Sequence, residues 1–170
     1  MGDTKLRHIR FLVLLSVLWL AACAPSVIEI PADYTAKTLQ VLPAKGQGDA
    51  NQHGAAFSAA RTKAVTYPDL FTVVEVANDD QTLLLDISID TFDQSTSQDG
   101  NAKYGFTTNY RSEVTVTATL LDPATGAIVS TATRQGSDRS DDGYPGFDDA
   151  LRYAINNAVD TLFRTYAASL

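Results

Sequence analysis

The residue pattern between positions 37 and 170 predicts an α+β two-layer sandwich: an antiparallel-rich mixed sheet of about five strands with two helices on one face. Three observations carry this. Leu83, Leu85, Ile87 and Ile89 alternate with Asp86, Ser88 and Asp90, the period-two signature of a strand with one buried side. A second alternating run, Tyr104, Phe106, Tyr110, Val114, Val116, Ala118 and Leu120, ends in the tight-turn sequence Asp122-Pro123-Ala124-Thr125-Gly126. From Phe147 onward, Leu151, Ala154, Ile155, Ala158, Val159, Leu162, Phe163 and Tyr166 form a wide apolar stripe at helical spacing, opposite Arg152, Asn156, Asn157, Asp160 and Arg164.

The remaining elements fit around these. Lys37 to Leu42 alternates as a first strand, with Pro43, Gly46 and Gly48 forming its exit loop. Between Gln52 and Thr66, Phe57, Ala60, Ala64 and Val65 recur at helical spacing, and Pro68 biases Tyr67 out of the helix. Phe71 to Val76 is β-branched and aromatic, a second strand stopped by Asn78-Asp79-Asp80. Gln94 to Ala102 reads as a polar turn containing Asp99-Gly100, and Ile128 to Arg134 should return antiparallel after the Asp122 turn, completing a three-strand meander. Strands with one polar face and helices with one apolar face pack as two layers.

The first ten residues carry Lys5, Arg7 and Arg10, and Phe11 to Ala22 are uncharged and mostly apolar, the order of a secretory leader. A membrane span needs roughly 20 apolar residues, and here Pro25 and Glu29 follow soon after. Leu20-Ala21-Ala22-Cys23 resembles the lipobox of bacterial lipoproteins, which implies removal of residues 1–22 and lipidation of Cys23, the only cysteine. Two or more acyl chains anchor stably, at ~0.8 kcal/mol per buried methylene. The residue after the cysteine is Ala24 and not aspartate, and the resemblance then implies the outer membrane, with the protein facing the periplasm. Residues 23–36, with Pro25 and Pro31, read as a lipidated tether, and at ~3.3 Å per residue could hold the domain up to ~40 Å from the lipid. Residues 37–170 form a single α/β domain.

Loss of the leader removes three basic residues and one acidic residue, taking the formal charge from −7 to −9 over the remaining 148 residues. That balance argues against nucleic acid and anionic lipid head groups, which need clustered Lys and Arg. With Cys23 acylated no disulfide is available, so stability must come from one packed core.

The order of motifs behind the lipobox carries a family resemblance. Val41-Leu42-Pro43, a helix, Phe71-Thr72-Val73-Val74-Glu75, an alternating strand, Val114 to Leu121 with its Asp122 to Gly126 turn, and a closing helix from Asp148-Asp149-Ala150-Leu151 together resemble the small lipoprotein domains of the CsgG, LpoB and YajG type, related to the amino-terminal domain of TolB. The resemblance covers most of residues 37 to 167. It implies assembly, adaptor or activator roles in the cell envelope, with envelope proteins as partners and no catalytic residues to transfer. The chain departs from the CsgG pattern in lacking an obvious pair of pore-forming hairpins.

Candidate chemistry is sparse. Asp86 and Asp90 could perform acid and base work, but on an alternating strand they keep the outer face wet. His53 reads as a solvated first-turn residue. Asp138-Arg139-Ser140-Asp141-Asp142-Gly143, with Asp149 at the twelfth position, has the register of a calcium loop; Pro145, the short Asp149 and a preceding strand argue instead for an acidic loop capping the last helix. Neither a nucleophile motif nor a phosphate-cradling loop is present. The expectation is a non-enzymatic protein with no cofactor and no metal, acting as an adaptor or assembly factor; a carrier of lipid or another apolar ligand is the alternative. The candidate partner surface is Tyr104, Phe106 and Tyr110, on a strand end expected to project beyond the helices because the returning strand is too short to cover it; the alternative is that these rings finish the core beside Phe92.

Overall fold

The computed structural model describes residues 30–32, 34–77, 82–101, 105–140 and 147–170, with 98–101, 105–108 and 140 described by backbone alone. Chain order is β1 (Lys37–Val41), β2 (Lys45–Gly46), α1 (Ala50–Ala64), β3 (Phe71–Val74), β4 (Leu83–Asn101), β5 (Gly105–Leu121), β6 (Ile128–Ser140) and α2 (Phe147–Ala167). The sheet order is β3-β1-β4-β5-β6, with the two-residue β2 also paired to β4. β1 runs parallel to β3 and β4, and β4, β5 and β6 form the antiparallel meander. The fold is thus the α+β sandwich, with a short sixth strand added. Among the described residues no helix is long and apolar enough to cross a membrane.

The core lies between the sheet and the helices. Leu85, Ile87 and Ile89 of β4 and Val114, Val116, Ala118 and Leu120 of β5 face Leu151, Ala154, Ile155, Ala158, Val159, Leu162 and Phe163 of α2, all buried. Gly136 of β6 lets α2 seat closely: a Cβ there would come within 2.0 Å of the Ala150 carbonyl oxygen. At the far end, Phe71 packs on Phe163 with ring centroids 4.6 Å apart and stacks on Tyr166 at 5.4 Å.

Several boundaries differ from the sequence reading. α1 begins at Ala50 because Asp49 caps it: its carboxylate accepts from the Asn51 and Gln52 amides at 2.9 Å, and the Gln52 side chain accepts from the Asp49 amide at 2.7 Å. Its inner face is Ala56, Ala60 and Ala64; Phe57 is half-buried and Val65, at the C-cap, is exposed. β3 ends at Val74, leaving Val76 exposed. Tyr34 and Ile30, expected in the tether, pack against the core. The stretch from Cys23 to Ile30 therefore spans at most ~25 Å, less than the reach expected.

The largest difference is in the meander. Gln94 to Asn101 is not a turn but the continuation of β4, paired residue for residue with β5 as far as Asn101 opposite Gly105. β6 likewise runs on to Ser140, opposite Tyr110. Serine, threonine and glutamine carry no apolar alternation, so cross-strand pairing, and not side-chain burial, sets these strand ends.

Candidate functional site

Beyond Thr91 the sheet loses β1 and β2, runs on as β4, β5 and β6 to Thr96, Tyr110 and Ser140, and then narrows to a ribbon of β4 and β5 that ends at Asn101 and Gly105; the root of this extension is built by specific contacts. The register shifts between Ile89 and Thr91, placing a β-bulge at Asp90. The β2 segment sits against this bulge. Gly46 adopts φ of 100°, and a Cβ there would lie 2.2 Å from the Ile89 carbonyl oxygen, so only glycine permits the approach. The Gln47 amide donates to the Ile89 carbonyl at 2.8 Å, and the Phe92 amide donates to the Gln47 side chain at 3.2 Å. The Phe92 ring then packs edge-on against Phe147, the first residue of α2, with centroids 4.3 Å apart.

Past Phe92, residues 93 to 97 of β4 are exposed on both faces, so this strand stands clear of the helices. Nine further residues of β4 carry it about 30 Å from Phe92 to Asn101. Because the Phe92 amide points to the side of β4 away from β5, strand alternation turns the amides and carbonyls of Gln94 and Thr96 the same way. Among the described residues, no strand pairs with β4 on that side beyond Ile89.

The ribbon and the Tyr34 segment that precedes β1 lie at opposite ends of α2. Tyr34 donates to the Leu70 carbonyl at 3.2 Å and lies 3.4 Å from the Tyr166 hydroxyl, near the helix C-terminus. Phe147 and Tyr166 are separated by 19 residues of helix, about 28 Å. β4 runs parallel to β1, away from the Tyr34 segment.

The expected site residues are placed unevenly. Cys23 and Tyr104 lie outside the described residues. Phe106 stands in β5 opposite Gly100, in the two-stranded part. Tyr110 is half-buried between Thr96 and Ser140, so β6 does reach it and the short-strand argument for its exposure fails. Sequence reading missed the β4 side of the ribbon; the signal available was the absence of proline from Thr91 to Asn101. Ser112, opposite Gln94, is fully buried, and its hydroxyl is the one buried side-chain polar atom without a hydrogen-bond partner among the described residues.

The other candidates have structural roles. Asp86 pairs with Lys45 at 2.7 Å, and Asp90 accepts from Thr117 at 2.5 Å on the helix-free face of the sheet. His53 Nε2 is 3.3 Å from the Gln47 carbonyl. Asp138 lies within β6 opposite Ser112, Asp149 accepts from Arg152, and the intervening 141–146 lie outside the described residues. A surface groove of about 550 Å³ separates the helices, lined by Ala55, Ser58, Ala59 and Thr62 of α1 and by Arg152 and Asn156 of α2 among others.

A polar cluster closes the opposite end of the helix pair. Asp160 accepts from Tyr67, from Arg164 at 2.7 Å and from Lys63 at 3.1 Å. Burial alone would raise the Asp160 pKa, but these hydrogen bonds outweigh it and bring it down to about 2. Burial and the bond to Asp160 push Tyr67 up to about 12.

No protein-family model matches this sequence, and no curated protein matches it. Several solved structures superpose on it over most of their length. The PelC dodecamer from Paraburkholderia phytofirmans superposes with a TM-score of 0.50 at 17% identity, over 75% of this chain and 86% of that one. A minor lipoprotein from Acinetobacter baumannii gives 0.44 at 12% identity, over 79% and 93%. A lipoprotein from Neisseria meningitidis gives 0.42 at 12%, over 74% and 99%. At 17% identity the likeness to the PelC chain is one of fold alone.

Proposed function

We propose that this chain is a lipid-anchored cell-envelope protein that acts as a non-catalytic adaptor or assembly factor, held to the outer membrane through Cys23 and facing the periplasm. The anchor reading rests on the leader and on Leu20-Ala21-Ala22-Cys23; two fold neighbours are named lipoproteins, which accords with it. The observation that carries the adaptor reading is the polar extension of β4 at the end of the domain away from Tyr34, whose residues Asp93 to Ser97 are exposed on both faces of the strand. A feature that adds nothing to the core yet has a built root is explained by contact with another molecule. The groove between the helices is open to the surface and mixes small apolar side chains with Ser58, Thr62, Arg152 and Asn156, unlike the enclosed apolar cavity that a carrier needs.

The test joins anchoring to partner contact. The native protein should fractionate with membranes, require detergent, and crosslink in intact envelopes to a reproducible set of proteins. Cys23→Ser should leave an unprocessed or soluble species that loses those crosslinks. A Cys23→Ser protein that still matured and needed detergent would remove the anchor reading. A native protein with no crosslinked partner would remove the adaptor reading.

A further inference from the structure

We infer that the outer edge of β4 between Asp93 and Asn101 is a strand-addition site for an extended, neutral-to-basic segment of a partner protein, displayed at the end of the domain away from Tyr34. The inference rests on the adaptor reading and names its contact surface.

An open strand edge is normally blunted by lysine, proline, a bulge or shortness. The other edges of this sheet are blunted: β3 has four residues, and β6 carries Arg134, Asp138 and Arg139. From its start to Ile89, β4 is covered by β1 and β2. Beyond Thr91 it has no lysine, arginine or proline, and no further register shift interrupts its pairing with β5. Every second residue from Phe92 directs its amide and carbonyl to the open side. Gln47 takes up the Phe92 amide, and the next such residues are Gln94 and Thr96. From Ser97 to Asn101 β4 pairs with β5 alone, and a two-stranded ribbon is marginal in water, so a strand added along this edge pairs the open amides from Gln94 onward and also supports the tip.

Charge selects the occupant. Asp93 and Asp99 are the only charged residues from Thr91 to Asn101. If two copies of this edge paired antiparallel about a two-fold axis with full overlap, the axis would pass at Thr96 and set Asp93 opposite Asp99 twice. Like charges directly opposite are destabilising. A foreign strand with lysine or arginine six positions apart sets opposite charges at the same two register positions.

The probes are defined peptides, used on the full-length lipidated protein in detergent. One ten-residue peptide alternates threonine and valine with two lysines six residues apart; a second replaces the lysines with glutamate; a third is the lysine peptide N-methylated at alternate residues along its pairing edge. The lysine peptide should slow amide exchange at Gln94 and Thr96 at least tenfold and bind at least tenfold tighter than the glutamate peptide, and the methylated peptide should not bind. Thr96→Pro, which removes an outward amide and leaves the bonds to β5, should abolish binding with Tm unchanged. Asp93→Asn with Asp99→Asn should equalise the first two peptides. Unchanged exchange at Gln94 and Thr96, full binding of the methylated peptide, or equal binding of the lysine and glutamate peptides to the native protein would overturn the inference. So would protection that grows with protein concentration alone, which assigns the edge to a second copy. Failure here with envelope crosslinks intact removes this edge and leaves the adaptor reading standing.

Discussion

The Tyr67 hydroxyl donates to the Asp160 carboxylate across 93 residues of chain, tying the exit of α1 to the outer flank of α2. Tyr67 also packs its ring edge against Phe163, with centroids 5.2 Å apart, and Lys63 and Arg164 close the cluster around the carboxylate. Tyr67→Phe should therefore cost about 1 kcal/mol. Asp160 has a depressed folded-state pKa, so its contribution is present above about pH 4 and is lost as pH falls towards 2. The stability gap between native protein and Asp160→Asn, measured by urea unfolding, should shrink over that window. At the alkaline end, Tyr67 is raised from 10.0 to about 12, so stability should fall as pH rises between those values. A gap independent of pH from 7 to 2 would contradict the acid prediction.

Gly136 is the contact point of β6 with α2, where a Cβ would meet backbone atoms of Ala150 and Ala154. Gly136→Ala must push the helix away, and overpacking of this kind costs about 1–3 kcal/mol. Ser137→Ala, on an exposed neighbour, should change little. Thermal unfolding of the two variants checks this, and equal melting temperatures would mean that the helix sits further from the strand.

Ser112 buries a hydroxyl with no partner among the described residues. An unsatisfied buried hydroxyl costs roughly 1–3 kcal/mol, so Ser112→Ala should leave stability unchanged or raise it by about 1 kcal/mol. A loss of stability on removing the hydroxyl would show that it does have a partner.

Leu151 is buried and Arg152, beside it, is exposed. Leu151→Ala should cost ~2–5 kcal/mol, whereas Arg152→Ala loses only an exposed ion pair with Asp149 and should cost under ~1 kcal/mol. Equal small effects would mean that α2 is not docked as described.

Elements with an apolar face were legible in the sequence. The stripe from Leu151 to Tyr166 and the alternation from Leu83 to Ile89 and from Val114 to Leu120 each declare which side is buried, and the structure buries those sides. The start of α1 was legible but missed, because Asp49 and Gln52 spell a capping box three residues apart. The ribbon was not legible in the same way. Gln94 to Gln98 has no apolar alternation, so composition reads as a turn while pairing with β5 makes a strand. Gln47 reaching Phe92 across 45 residues has no local sequence signal. Tyr110 was placed on an uncovered extension because β6 was ended at Arg134, six residues before its last strand position.

The central claim is that the ribbon is the working surface and the rest of the domain its support. Deleting residues 96–99 together with 107–110 removes four facing pairs, preserves the alternation on both strands and leaves Phe92, Phe147 and the core in place. This variant, with Cys23 intact, is to be expressed in the native envelope and compared with the full chain for membrane fractionation, melting temperature and crosslinked partners. The account predicts a membrane-bound protein with a melting temperature within a few degrees of native and its partner crosslinks lost. A folded, membrane-bound variant that keeps the full partner set would contradict it.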